Sequence, residues 1–226
     1  MQDLITTIKP PKRVFIAGII LATIFSVVLY YVLLWAQLGF WSGIIWSRLI
    51  YWGEVLFLWW YAAQYEHQPL IIWKEKQSGI KFILLWTVLL FLLIMAANII
   101  SAITTLLGYH ENKEMLRQIS RFITGRYVLI TFISITAGVT EEIILRGYIQ
   151  TRLALLFKNQ YIAVVISAVL FSGLHYIYHG PREFIFTFLC GLIFAMHYKK
   201  YGNLKPLIIA HFLVDWVTII CLHYFV

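Results

Sequence analysis

Charge is scarce in this chain. Asp, Glu, Lys and Arg make up only 12% of its 226 residues, against 62% hydrophobic residues and a mean hydropathy of +0.82. A single soluble core of this length cannot hide that much apolar surface, so an ordinary globular domain is excluded. Cysteine is nearly absent. Cys190 and Cys221 both fall in apolar stretches, and neither has a C-x-x-C partner. They read as small core residues, and a disulfide scaffold is excluded. There is no repeat and no low-complexity tract. A cleavable signal is not expected either, because the first apolar stretch is too long for an h-region and no small-residue cleavage site follows it.

What remains is apolar helix. The pattern predicts an all-α, polytopic transmembrane bundle of about seven spans, near the ~20 residues each that a bilayer requires. The expected spans are 14–35, 44–65, 80–107, a long one from 122 to 157, then 161–178, 183–198 and 206–224. The long span is expected to kink at Gly138 or restart at Thr140, with Thr140 as N-cap and Glu141 and Glu142 in the first turn behind it. Residues 1–226 read as a single integral-membrane domain, with three N-terminal helices within 14–107 and a catalytic core over about 122–226. The aromatic content of 17% suits membrane interfaces, as at Trp35, Trp59, Trp60 and Trp73.

The net charge of +8 comes from 18 basic and 10 acidic residues. The basic residues lie at the ends of apolar segments and form no stripe, so they set topology, and no nucleic-acid partner is expected. A cytoplasmic N-terminus gathers Lys9, Lys12, Arg13, Lys74, Lys76, Lys81, Arg146, Arg152, Lys158, Lys199, Lys200 and Lys205 on the inner side. It leaves Arg48, Lys113, Arg117, Arg121, Arg126 and Arg182 outside, so the N-in orientation is expected.

Four ionisable side chains interrupt the apolar segments: Glu141, Glu142, His175 and His211. A charge in a bilayer costs at least about 2.5–3.5 kcal/mol, so their presence calls for a use. Carboxylates beside imidazoles activate water, with or without a metal. Glu142 and Arg146 are four apart and can form an intrahelical ion pair, whereas Glu141 points about 100° away. Phe171 and His175 share a helix face, as do His211 and Asp215, where a carboxylate can orient an imidazole or join it on a metal. Each group taken alone has a plainer reading: the acids as a helix cap, the histidines as interhelical hydrogen-bond partners. Folding the two helices at Lys158-Asn159-Gln160 brings Glu141 and His175 to similar heights, and His211 enters about 9 Å along its own helix. The site is expected in the cytoplasmic half of the bilayer. Glu54 and Asn98 fall inside spans and are expected to find polar partners. Arg48, His179, His197 and His223 lie near helix ends and read as interface residues.

The order E-E-x-x-x-R, F-x-x-x-H, H-x-x-x-D on successive helices resembles the CAAX prenyl protease and bacteriocin-processing family, also called Abi. Arg146-Gly147-Tyr148, Gly191 and Gly202-Asn203-Leu204-Lys205-Pro206 extend the resemblance, which covers about 136–216. It implies an intramembrane endopeptidase, in the bacterial cytoplasmic membrane, acting on membrane-associated or lipidated peptides and proteins. Glu141 would be the general base, His175 a water-positioning group, and His211 with Asp215 a metal site or oxyanion support, while Arg146 braces Glu142. The family chemistry is either that of a metalloprotease or that of a metal-free glutamate protease. For the first, Glu141, His175, His211 and Asp215 are the residues available to a zinc ion. For the second, the family's Asn at the last motif position would donate to the oxyanion. Asp215 stands there instead, and an ionised Asp cannot donate. A non-catalytic immunity or scaffold protein of the same fold is the alternative.

Overall fold

The computed structural model describes residues 11–37, 40–108, 117, 120–179 and 181–225. The expected polar leader at Lys9 and Pro10, Gly39 and most of the polar stretch 109–118, with Lys113, lie outside the described residues, as do the side chains of His179 and His223, while the rest of the turn expected over 39–43 is helix, since Phe40 already opens it.

Among the described residues every regular element is helical. The helices are α1 Lys12–Trp35, α2 Phe40–Tyr61, α3 Ile80–Ser101, the short α4 Ile103–Leu106, α5 Tyr127–Glu142, α6 Thr151–Phe157, α7 Gln160–His179, α8 Pro181–Tyr201 and α9 Lys205–Phe225. Two stretches widen into π geometry: Ala62–Glu66 at the end of α2, and Ile143–Gln150 between α5 and α6. Proline sits where it costs no helical hydrogen bond: Pro181 opens α8 and Pro206 lies in the first turn of α9. At the α6–α7 turn, Lys158 is left-handed (φ 53°), and the Asn159 carboxamide accepts from Tyr161 N–H at 2.8 Å. The sequence placed its turn at these residues.

Two runs among the described residues, Ile80–Ser101 and Tyr127–Phe157, are long and apolar enough to cross a membrane. The seven-span expectation is therefore supported for two. Gln160–His175 is a shorter apolar helix. Wide apolar exposure is nevertheless general: α3 presents Leu84, Leu85, Val88, Leu92 and Ile99 outward, and α2 presents Trp46, Leu56, Trp59 and Trp60. Surface of this kind suits lipid contact.

The irregularity expected at Gly138–Thr140 lies elsewhere. α5 continues through both residues, and the buried Thr140 hydroxyl donates back to the Thr136 carbonyl at 2.8 Å and caps nothing. Glu141 and Glu142 thus end a helix, and the break in pattern is the wide turn that starts at Ile143. A hydroxyl inside a continuous helix bonds the carbonyl four residues back as readily as it caps, which is why spacing alone misplaced the start. The third span also ends early, at Ser101, with α4 completing it as a separate turn.

The packing order sets the site. α9 lies between α3 and α5, while α7 and α8 pair along their lengths and flank the π segment. Contacts of Gln150 with Ala195 and of Arg146 with Gly191 make that segment parallel to α8. α5 and α9 run antiparallel, tied by Trp216 Nε1–H to Thr131 Oγ1 at 3.1 Å. The polar loop before α3 folds under the α8–α9 turn, with Lys76 N–H donating to Tyr201 O at 2.8 Å and Asn203 Nδ2 to Gln77 O at 2.9 Å.

Candidate active site

α5 and α9 approach closely at Gly138. A Cβ built there would lie 3.0 Å from Ile208 O and 3.1 Å from Phe212 N, so two helix backbones touch with no side chain between them. One helical turn later, the same approach places Glu142 against His211. His211 Nδ1 lies 2.9 Å from Glu142 Oε1, and that oxygen also accepts from Arg146 Nη1 at 3.0 Å. The i, i+4 pair read from the sequence is therefore present, with both partners fully buried. Because a carboxylate oxygen accepts, the Nδ1 proton resides on His211 and Nε2 turns outward.

Two acids face that outer nitrogen. Glu141 Oε2 lies 3.9 Å from Nε2 and Asp215 Oδ2 lies 3.7 Å from it. Their side chains are 15% and 30% exposed, against 0% for Glu142, so the approach to the site is from their side. The adjacent glutamates thus diverge as helix geometry requires: Glu142 into the protein, Glu141 toward the opening.

His175 stands alongside. Its Nδ1 lies 2.8 Å from Phe171 O, an acceptor, so Nδ1 carries the proton and Nε2 keeps a lone pair. The ring packs edge-on against Phe171 at 4.5 Å, and His175 is within electrostatic reach of Asp215. Among the described residues it makes no direct hydrogen bond to Glu141 or His211. Phe171 links the parts: the Arg146 guanidinium lies 4.7 Å from its ring and the His211 ring 6.2 Å, with Phe194 closing the other side at 5.5 and 5.8 Å. The sequence marked Phe171 as part of F-x-x-x-H, but nothing in the spacing marked Phe194.

Glu141, Glu142, Arg146, His211 and Asp215 therefore meet around one imidazole, with His175 at the edge. A zinc ion needs three or four donors at about 2.0–2.2 Å in tetrahedral array. Among the described residues no three of His, Cys, Asp and Glu are so arranged; the Nδ1 atoms of His175 and His211 are held by oxygens, which leaves Nε2 of each as the nitrogen a metal would meet.

Several residues read as topological or interfacial are structural instead. Arg152 is fully buried against Glu66. His197 is 5% exposed, inside a box of Phe82, Trp86 and Tyr201 rings. Arg48 lies over Tyr51 at 5.3 Å and within electrostatic reach of Asp215. Asn98 Oδ1 accepts from Arg182 at 3.3 Å, as expected of an amide inside a span, and Glu54 is fully buried.

Residues 123–217 match the family model described as Type II CAAX prenyl endopeptidase Rce1-like. No curated protein and no solved structure matches the chain. The matched residues hold every one of the six side chains predicted for the site, and over that segment the chain is similar to the CAAX protease family, a family of membrane-integral proteases.

Proposed function

We propose that this protein is an intramembrane endopeptidase that hydrolyses peptide bonds in membrane-associated or lipidated peptides and proteins, with Glu141 as general base. The observation that carries the reading is the unequal environment of the two adjacent acids. Glu142 is neutralised by Arg146 and committed to His211, whereas Glu141 faces the opening, 3.9 Å from His211 Nε2.

The chain's own groups support each step. A water between Glu141 and the Nε2 lone pair of His175 is oriented by both. Glu141 takes its proton as the oxygen attacks the peptide carbonyl carbon. With carboxylates facing both ring nitrogens, His211 is held as the imidazolium, and the carbonyl oxygen becomes an oxyanion that accepts a hydrogen bond from its Nε2–H. Glu142 and Asp215 hold the His211 ring, and the low dielectric of a site walled by Phe171 and Phe194 strengthens that bond. The C–N bond then breaks as Glu141 returns its proton to the leaving nitrogen, so acid and base are one group used twice. No metal enters these steps. The N-terminus is placed on the cytoplasmic side, with residues 122–226 as the catalytic core and the helices within 14–107 as its support.

The test is peptidase assay of purified protein in proteoliposomes, with and without a strong chelator, beside Glu141→Gln. Glu141 is partly exposed and makes no short contact, so this variant folds and loses about 10²–10⁴-fold in rate. Wild-type cleavage by Glu141→Gln ends the proposal, and loss of activity on chelation ends its metal-free form.

A further inference from the structure

Glu66 closes the π turn at the end of α2 and stands outside the matched segment. Its carboxylate is fully buried and fully engaged. Oε1 accepts from the Tyr148 hydroxyl at 2.7 Å, and Oε2 accepts from Arg152 Nη2 at 2.7 Å and Nε at 3.0 Å. Arg152 also donates to the carbonyls of Leu70 (2.6 Å) and Pro69 (2.9 Å), and its guanidinium lies 4.1 Å over the Tyr148 ring. α1 presses on the same point, since a Cβ at Gly18 would run into the Tyr148 hydroxyl.

Buried ion pairs of this kind are a poor way to gain stability, because apolar packing of equal volume does as well or better. Their placement along the chain points to a different use. Tyr148 lies inside the π segment Ile143–Gln150, Arg152 lies in the first turn beyond it, and Glu142–Arg146 straddles its start. An i→i+5 turn is an unfavourable geometry that persists when its surroundings over-determine it, and such turns gather at functional sites. It also sets how far the helix before it is rotated relative to the helix after it. Here the helix before it ends in Glu141 and Glu142.

We infer that Glu66 is a positioning residue for hydrolysis: through Tyr148 and Arg152 it holds the wide turn whose register aims Glu141 and Glu142 at His211. The N-terminal helices then supply a clamp without which the motif-bearing segment is misregistered. This inference rests on the reading of Glu141 as the base.

The experiment uses full-length protein carrying Tyr148→Phe, which removes one hydroxyl and leaves the Arg152–Glu66 pair, and separately Glu66→Gln. Labelled-histidine NMR reads the His211 Nδ1–H bonded to Glu142 without any substrate, and His211→Ala assigns the signal by removing it. The expected result is a shifted or weakened His211 signal in both variants. Their kcat falls about tenfold while KM stays within about twofold, the pattern of a group that acts on the transition state and not on substrate binding. A merely structural clamp would lower the unfolding temperature and leave the signal and kcat of the folded fraction unchanged, which overturns the inference. If Glu66→Gln does not fold, Tyr148→Phe decides alone. Retained cleavage by Glu141→Gln would strike the base assignment instead, while the His211 signal still decides the role of Glu66.

Discussion

The contact at Gly138 gives the sharpest quantitative test of how the site is built. In a helix interior, Gly→Ala ordinarily stabilises by about 0.5–1 kcal/mol, because alanine has less backbone entropy to lose. Gly53 in α2 is the reference position, since a Cβ added there meets nothing within 4 Å. At Gly138 the same methyl group lies 3.0 Å from Ile208 O, and ordinary contact begins at 3.4 Å, so α5 and α9 must part by 3.4 − 3.0 = 0.4 Å. Carried rigidly to the next turn, that movement stretches the His211–Glu142 contact from 2.9 Å to 2.9 + 0.4 = 3.3 Å. This lies beyond the ordinary N–H···O range of about 2.7–3.2 Å. A hydrogen bond to a charged group contributes about 1.5–3 kcal/mol, and losing half of it costs about 0.75–1.5 kcal/mol. In rate that is about four- to twelvefold. The assay is initial-rate peptidase measurement on Gly138→Ala and Gly53→Ala, with thermal unfolding of both in detergent. Gly53→Ala should be slightly more stable and fully active, and Gly138→Ala slower. Wild-type cleavage by a folded Gly138→Ala variant would refute the claim that close approach of α5 and α9 sets the site.

Arg146→Met leaves the fully buried Glu142 without its countercharge and should cost about 3–5 kcal/mol, read as a fall in unfolding temperature. Glu75→Gln breaks an ion pair of similar length, 3.0 Å to Lys205, yet both partners are well exposed (38% and 55%), so it should cost no more than about 1 kcal/mol in the same assay. If the two losses are equal, burial is not what gives the Glu142 pair its weight. At Asp215, whose Oδ2 faces His211 Nε2 from 3.7 Å, Asn keeps an oxygen in place and should leave the rate within about fivefold, whereas Leu should lower it about tenfold or more. Equal rates for Asp215→Asn and Asp215→Leu would remove Asp215 from the site.

Much of this site was legible because its parts obey local rules. Glu142–Arg146 and His211–Asp215 are i, i+4 pairs, and a 3.6-residue period puts such pairs on one face whatever surrounds them. The turn at Lys158-Asn159 is likewise local, as an Asn side chain next to a left-handed residue caps the helix that follows. The Glu66–Arg152 pair was not legible. It joins residues 86 apart, and a basic residue near a helix end is ordinarily a topological charge. The π segment leaves no compositional trace, since Ile143–Gln150 reads as continuous apolar helix. It is a product of what clamps it from outside. His197 followed the same course: near a helix end by position, it is buried because the aromatic side chains of α3 close over it.

The division of labour between the paired glutamates follows from this geometry and not from their chemistry, which is identical. A carboxylate that accepts from a guanidinium and an imidazole through one oxygen has that oxygen's lone pairs committed, and its full burial keeps water away. Such a group can brace an imidazole but is poorly placed to take a proton from water. Its neighbour, rotated by about 100°, has the reverse situation: partial exposure, no cation within hydrogen-bond distance, and an imidazole close enough to share an incoming carbonyl oxygen. Exchanging the roles would require turning α5 about its axis, and the wide turn that fixes that rotation is clamped at both ends by buried arginine–carboxylate pairs. The pair of acids is therefore asymmetric before any substrate arrives. A preorganised asymmetry of this kind is what a single-base hydrolysis needs, because the base must stay available while the group behind the electrophilic imidazole stays fixed.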